Sequence, residues 1–282
     1  MKAFQGRVAL VTGAAHGIGL GIARALAREG MRVAMADIAA DALQAARDGL
    51  AAEGATVAAL PLDVSDFAAV ARAAAEVEAR FGTLHVLVNN AGVAPPPKPV
   101  STIPLEEWAW LLGVNLYGVI HGVRAFLPLI RRHGEGGHIV NTASIAGFQV
   151  RPGRGTGGYA ATKYAVVAFS ESLAQELEGS GIGVSVLCPA AVNTTIYQSA
   201  RRRPPQFGGP FAPPAPHPNQ ISLEGGLPPD SVGERVVQAI RDEELFVFTH
   251  EEPRGWLEER HRRVLAAFDS AVRYNRAHGI DA

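Results

Sequence analysis

Short apolar, β-branched runs alternate along this chain with longer stretches whose apolar positions recur every three or four residues. Residues 7–12 (RVALVT) are apolar almost throughout and stop at Gly13, as expected of a strand buried on both faces. Gly17–Arg28 follows with Ile18, Ile22, Ala25 and Leu26 at helical spacing and ends before Gly30, a stop signal. The alternation continues with strand Arg32–Asp37, helix 39–53, strand 56–62, helix 66–80 and strand 84–88. A long helix over 105–132, strand Gly137–Thr142, helix 159–178 and strand 183–187 complete the regular part. Strands separated by helices of this length predict a parallel sheet covered on both faces. Right-handed crossovers make a doubly wound α/β sheet the simplest topology.

The regularity stops over 195–229, which holds Pro204, Pro205, Pro210, Pro213, Pro214, Pro216, Pro218, Pro228 and Pro229. A loop this long inside a compact domain is expected to be a functional lid or to lack order. Helix 231–241, strand 245–249 and a charged amphipathic helix over 253–276 follow. The expectation is one domain of about seven strands over 1–282, with a proline-rich lid at about 195–230.

Composition narrows the function. Of 282 residues 48% are hydrophobic and 19% charged, enough apolar surface to fill a core. The net charge of -1 gives no electrostatic reason for a nucleic-acid or anionic-membrane partner. Cys188 is the single cysteine, so no intrachain disulfide forms; preceding Pro189 at a strand end, it reads as a buried structural thiol. The first seven residues lack the apolar region of a signal peptide, and no uninterrupted apolar run approaches the ~20 residues that span a bilayer. The expected compartment is the cytoplasm. The histidines show no metal-ligand spacing, so no metal is expected.

Two stretches carry candidate chemistry. Thr12-Gly13-Ala14-Ala15-His16-Gly17-Ile18-Gly19 joins the first strand to the first helix. Glycines there permit a tight turn and let the backbone approach a pyrophosphate, which the helix N-terminus attracts. Asp37, at the end of the second strand, lies 18 positions after Gly19. Its carboxylate can accept from a ribose 2′-OH and would repel a 2′-phosphate, and no arginine or lysine stands at His16 or Ile38. NAD is therefore expected over NADP. Further on, Tyr159 and Lys163 stand four residues apart on one helical face. A nearby ammonium favours the phenolate and is expected to lower the tyrosine pKa from about 10, fitting the pair for proton exchange with a hydroxyl.

Thr12-Gly13-x-x-x-Gly17-Ile18-Gly19, Asp63, Asn89-Asn90-Ala91-Gly92, Asn115, Ser144, Tyr159 and Lys163 together resemble the short-chain dehydrogenase/reductase family over residues 6 to about 195. The resemblance implies a Rossmann-type fold. It implies that Gly13, His16, Gly17, Ile18 and Gly19 line a cofactor pyrophosphate and that Asp37 holds the adenosine ribose. Asp63 and Val64 would meet the adenine, although Asp63 also reads as a cap ahead of Ser65-Asp66. Asn90, Ala91 and Gly92 would close the groove, with Pro189, Val192 and Thr194 near the nicotinamide. Tyr159 would be the general acid/base and Lys163 its partner and a ribose ligand; Ser144 would hold the substrate oxygen and Asn115 anchor a proton relay. Homotetramers or homodimers are also implied.

Two positions depart from the family pattern. Fifteen positions separate Ser144 from Tyr159, with a glycine-rich insert over 151–158 that forms either a substrate wall or neutral slack. The Pro-Gly expected after the sixth strand is Pro189-Ala190, which would be strained if a positive φ were needed there. Tyr197, Phe207, Phe211 and Leu223 give the lid apolar contacts suited to a bulky or aromatic secondary alcohol or ketone, and 137–192 with 246–250 resemble bacterial aryl-carbinol dehydrogenases acting on lignin-derived ethers. Rival expectations are an NADP-dependent ketoreductase and a non-catalytic NAD-binding regulatory protein. Arg201-Arg202-Arg203 reads as a solvated charge run, and Trp108 and Trp110 as packing residues.

Overall fold

The computed structural model describes residues 1, 3–213 and 220–280, so Pro214, Pro216 and Pro218 of the expected lid lie outside the described residues. The chain forms two compact units, Met1–Thr249 and His250–Ala282.

In the first unit β1 (Val8–Thr12), β2 (Arg32–Asp37), β3 (Val57–Pro61), β4 (Val86–Asn89), β5 (Gly137–Thr142), β6 (Ile182–Cys188) and β7 (Phe246–Phe248) pair in parallel, in the order β3-β2-β1-β4-β5-β6-β7. The helices are α1 (Gly17–Arg28), α2 (Ala40–Ala52), α3 (Phe67–Phe81), α4 (Leu105–Leu112), α5 (Gly118–Arg132), α6 (Gly157–Glu176), α7 (Gln220–Glu224) and α8 (Pro229–Asp242). Strand pleating sends alternate side chains to opposite faces. Val8 and Leu10 of β1 accordingly join a core with α3, α5 and α6, through Val70, Val77, Phe126 and Leu173. Ala9 and Val11 join a second core with α1, α2 and α8, through Ile22, Leu26, Leu43, Val236 and Ile240. Cores on both faces are the reason β1 is apolar without alternation.

Three elements differ from the expectation. The long helix over 105–132 is interrupted by a wide, π-type turn over Gly113–Tyr117, which separates α4 from α5 and carries Asn115. Helix α6 starts at Gly157, so Tyr159 lies inside its first turn rather than at its start. The expected lid is not irregular throughout, because Ile196–Arg202 and Pro205–Phe207 form short 3-10 turns and α7 follows.

The second unit is built on α9 (Arg254–Ala277), none of whose residues is buried. An Arg254–Glu258 pair at 2.9 Å, one helical turn apart, supports it.

His138 of β5 is fully buried, with Nε2 2.8 Å from Ser185 Oγ, which itself donates to the Glu244 carbonyl at 2.6 Å. Burial pushes its pKa down to about 3. The unfolded chain takes up this proton near pH 6.5, whereas the folded chain refuses it until about pH 3, so folding stability falls as pH drops through that window. Thermal unfolding followed from pH 7 to 4 should show a falling Tm, and His138→Asn should flatten the slope.

Candidate active site

The strand order turns back between β1 and β4, so their carboxyl ends part and open a crevice. Gly13 leaves β1 with φ +67°, and a methyl there would sit 2.9 Å from Ala91 Cα; one at Gly19 would sit 2.1 Å from the Gly13 carbonyl oxygen. Only glycine lets β1, α1 and the chain after β4 approach this closely. Thr12 joins the same parts. Its Oγ1 accepts from the Asn90 and Ala91 amides at 2.9 and 3.0 Å and donates to the Val88 carbonyl at 3.3 Å. Asn90 Nδ2 returns a bond to the Thr12 carbonyl at 3.0 Å.

His16 caps α1 in extended conformation, and Ile18 packs into the core behind it. Asp37 is half-buried at the end of β2 and accepts from the Ala15 and Ala39 amides at 3.1 and 2.9 Å. Each carboxylate oxygen keeps a further acceptor site, which suits a ribose diol. Asp63 Oδ1 accepts from the Ser65 amide at 2.9 Å and its hydroxyl at 2.7 Å, while the cap of α3 is Asp66, whose Oδ1 accepts from Ala68 at 2.8 Å. Asp63 therefore shapes the turn before α3 without being the helix cap. The Val64 side chain is buried, and its carbonyl accepts from His121 Nδ1 at 2.9 Å. A carboxylate at the β2 end, a glycine turn at a helix N-terminus and a groove of small residues together fit a dinucleotide.

The reactive side chains gather beside the other end of this groove. Ser144, just past β5, accepts from the Ala146 amide at 3.1 Å, donates to the Pro189 carbonyl at 3.3 Å and hydrogen-bonds the Tyr159 hydroxyl. Lys163, one turn beyond Tyr159 in α6, donates to the Thr142 carbonyl at 2.8 Å. A methyl at Gly92 would lie 3.5 Å from Asn115 Oδ1 and 3.6 Å from Lys163 Nζ, which brings the three together. Asn115 itself grips the backbone of Val93, accepting from its amide at 2.8 Å and donating to its carbonyl at 3.0 Å, and donates to Thr162 Oγ1 at 3.1 Å. Thr194 packs on Gly17 with Cγ2 2.9 Å from a methyl built there, and Val192 is buried and bridged to Leu227. Thr12, Thr142 and Thr162 are additions to the expected set.

Burial acts on the titration of both reactive side chains. Burial pushes the Tyr159 phenol up to about 12, against a smaller lowering by the Ser144 hydrogen bond, although the residue as a whole is only half-buried. Burial pushes Lys163 down to about 8. Burial, and not Lys163, is therefore the largest influence on Tyr159 here. The ammonium is committed to the Thr142 carbonyl and lies 5.7 Å from the phenol ring centroid, and desolvation outweighs its attraction. Cys188 is buried and likewise pushed up to about 12, chiefly by burial, as suits an inert thiol.

The departures from pattern resolve in the backbone. Glu243 is the only non-glycine residue with positive φ among the described residues, so Ala190 is free of the strain considered for it. The insert before Tyr159 is packed against the chain after β4: the Gly155 carbonyl accepts from the Lys98 amide at 2.9 Å, and Gly158 lies against Ile103, Leu111 and Trp108. Trp110 is buried as expected, but Arg203 is not a solvated charge, since its guanidinium stacks 5.4 Å from the Trp110 ring centroid. His85, His133 and Glu135 bring potential metal-binding atoms within 4.8 Å of one another. However, Nδ1 of each ring already accepts a backbone amide, from Val8 at 3.2 Å and Glu135 at 3.1 Å, and His133 Nε2 is bonded to the Leu84 carbonyl at 2.8 Å.

A doubly wound sheet with a glycine turn at its switch point and a Ser–Tyr–Lys cluster beside it defines a dinucleotide-dependent oxidoreductase scaffold. The chain belongs to the short chain dehydrogenase family, whose pattern it matches over residues 7–205. It is 35% identical over 275 residues to the C alpha-dehydrogenase of Sphingobium sp. (strain NBRC 103272 / SYK-6), covering 94% of this chain and 87% of that one. It is 44% identical over 193 residues to the 1-deoxy-11-beta-hydroxypentalenate dehydrogenase of Streptomyces avermitilis, covering 68% of this chain and 71% of that one. A short chain dehydrogenase/reductase from Burkholderia phymatum, solved with NAD, superposes with a TM-score of 0.88 at 36% identity over 95% of this chain and 97% of that one.

Replacing Thr12 by valine keeps its shape and removes the acceptor of two half-buried amides. A fully buried unsatisfied amide costs about 1–3 kcal/mol, and these two keep some access to water, so Thr12→Val should lower the unfolding free energy in urea by about 2 kcal/mol, the low end for two.

Proposed function

We propose that this protein is an NAD-dependent dehydrogenase that interconverts a bulky, aromatic secondary alcohol and its ketone. The observation that carries this reading is the meeting of Ser144, Tyr159, Lys163 and Asn115 beside a groove whose far end holds Asp37. Bound NAD(H) supplies the hydride exchange. Tyr159 exchanges the proton at the substrate oxygen, Ser144 donates to that oxygen as its charge changes, and Lys163 holds positive charge beneath them. Asn115 fixes Val93 and stands beside Lys163 as the anchor of proton relay. Gly13, His16, Gly17, Ile18 and Gly19 bind the pyrophosphate, Asp37 the ribose diol, Asp63 and Val64 the adenine. Asn90, Ala91, Gly92, Pro189, Val192 and Thr194 enclose the rest of the cofactor.

Asp37 supports NAD over NADP because a 2′-phosphate would meet its charge, although this scaffold accommodates either dinucleotide when an arginine replaces or offsets that acid. The half-buried Ile103 and Trp108 near Gly158, and the similarity to a C alpha-dehydrogenase, favour an aryl carbinol. The protein is read as cytoplasmic and as a homotetramer or homodimer, without nucleic-acid or membrane partners.

The direct test is absorbance of NADH formed from aliphatic and aryl secondary alcohols, with NAD and NADP in parallel. Turnover should favour NAD and aryl substrates, and Tyr159→Phe should lower it by about 10²–10⁴-fold. Because the oxidative direction needs a deprotonated Tyr159, and burial pushes this group up to about 12, alcohol oxidation should accelerate from pH 7 to 10 while ketone reduction does not. Turnover with NADP alone would overturn the Asp37 argument. NADH binding without any turnover would point to a regulatory protein.

A further inference from the structure

The chain after β6 does not remain beside Tyr159. From Thr194 it runs through Ser199, whose hydroxyl accepts from the Ala94 amide at 3.0 Å and donates to the Ala94 carbonyl at 3.2 Å, and continues as a strap to the opposite end of the crevice. There an Arg202 guanidinium nitrogen lies 3.4 Å from His16 Nε2, at the N-cap of α1. Gln206 Nε2 donates to Asp63 Oδ2 at 3.3 Å, and the Phe207 ring covers Gly113, with Cζ 3.2 Å from a methyl built there.

These contacts join exposed, long side chains to a glycine-turn histidine and a carboxylate at the end of β3. Such pairings in water repay little of the side-chain entropy they cost. Their position is informative for another reason. The N-terminus of α1 and its glycine turn attract an anion, and a guanidinium facing them presents paired donors matched to phosphate oxygens. Asp63 Oδ2 retains acceptor capacity beside the Gln206 carboxamide, a pairing suited to the amino edge of adenine.

We propose that Arg202 and Gln206 are cofactor-binding residues supplied by the strap: Arg202 donates to the pyrophosphate of the dinucleotide, and Gln206 acts with Asp63 on the adenine. The strap then grips the adenosine half of the cofactor as well as bordering the substrate. This inference rests on the dinucleotide reading of the groove. Ser199 and its bond pair to Ala94 set the reach of the strap, and the side-chain stack of Arg203 on Trp110 holds its far part in place.

The test is binding and does not require turnover. NADH is titrated by fluorescence, and ADP-ribose, which has the adenosine and pyrophosphate but no nicotinamide, by calorimetry. Wild type, Arg202→Ala and Gln206→Ala are compared, with Tm confirming that each variant folds. Arg202→Ala should weaken both probes by about tenfold or more, as expected for loss of a charge-assisted hydrogen bond, and Gln206→Ala by a smaller common factor. Unchanged ADP-ribose affinity in both variants would overturn the inference and leave the dehydrogenase reading intact. Tighter binding in the variants would overturn it too, showing that the strap obstructs the groove. A wild-type protein binding neither NADH, NADPH nor ADP-ribose would overturn both.

Discussion

The junction of β1 with β4 at the carboxyl edge holds everything else in register, and one hydroxyl carries much of it. Parallel strands pair along their length, but where the sheet order reverses the two ends must part, leaving backbone amides that no strand can satisfy. Thr12 Oγ1 accepts two of them, from Asn90 and Ala91. The glycine turn, the chain after β4 and the N-terminus of α1 are thereby fixed against one another, and the groove has a definite width. From the same edge Asn89 Nδ2 donates to Asn141 Oδ1 at 2.9 Å, Asn141 Nδ2 to Ser170 Oγ at 3.1 Å, and Ser170 to the Val166 carbonyl at 2.7 Å. This buried polar ladder runs from β4 through β5 into α6, so the helix bearing Tyr159 and Lys163 is positioned from the same seam that shapes the groove. Asn89 Oδ1 is buried without a hydrogen-bond partner, so the ladder is only partly satisfied, but its directed bonds still tie α6 to the two strands.

Much of the fold was legible because the strands are buried on both faces and the helices on one, giving two periods that differ along the chain. The glycine turn and the Ser144, Tyr159 and Lys163 positions were legible because their chemistry needs particular residue types. Other features left no such trace. Thr142 contributes a backbone carbonyl to Lys163, which any residue would possess. Ser199 meets Ala94 across a sequence separation that no spacing rule links. The wide turn at Gly113–Tyr117 has the same apolar character as the helices around it, so periodicity alone reads straight through it.

The charge balance of the reactive pair is another property that spacing does not carry. A tyrosine and lysine one turn apart imply attraction, but their pKa values depend on how much water each loses, and that is decided by the surrounding core. Burial moves Tyr159 up and Lys163 down, so both are driven towards their neutral forms. Ser144 opposes this for the phenol, which gives its hydroxyl an electrostatic part to play in addition to orienting an oxygen.

The wide turn also has a consequence for helix phase. Trp110 and Phe126 both lie in the core between the sheet and its helices, although 16 residues separate them. At about 100° per residue an unbroken α-helix would place them about 160° apart, on nearly opposite sides. A π-type turn absorbs one extra residue and brings the offset back to about 60°. The bulge that presents Asn115 is therefore also the phase correction that lets α4 and α5 bury the same side. Straightening it with every residue kept would turn one of their apolar faces to solvent, whereas deleting one residue would keep the faces aligned and remove only the bulge that carries Asn115.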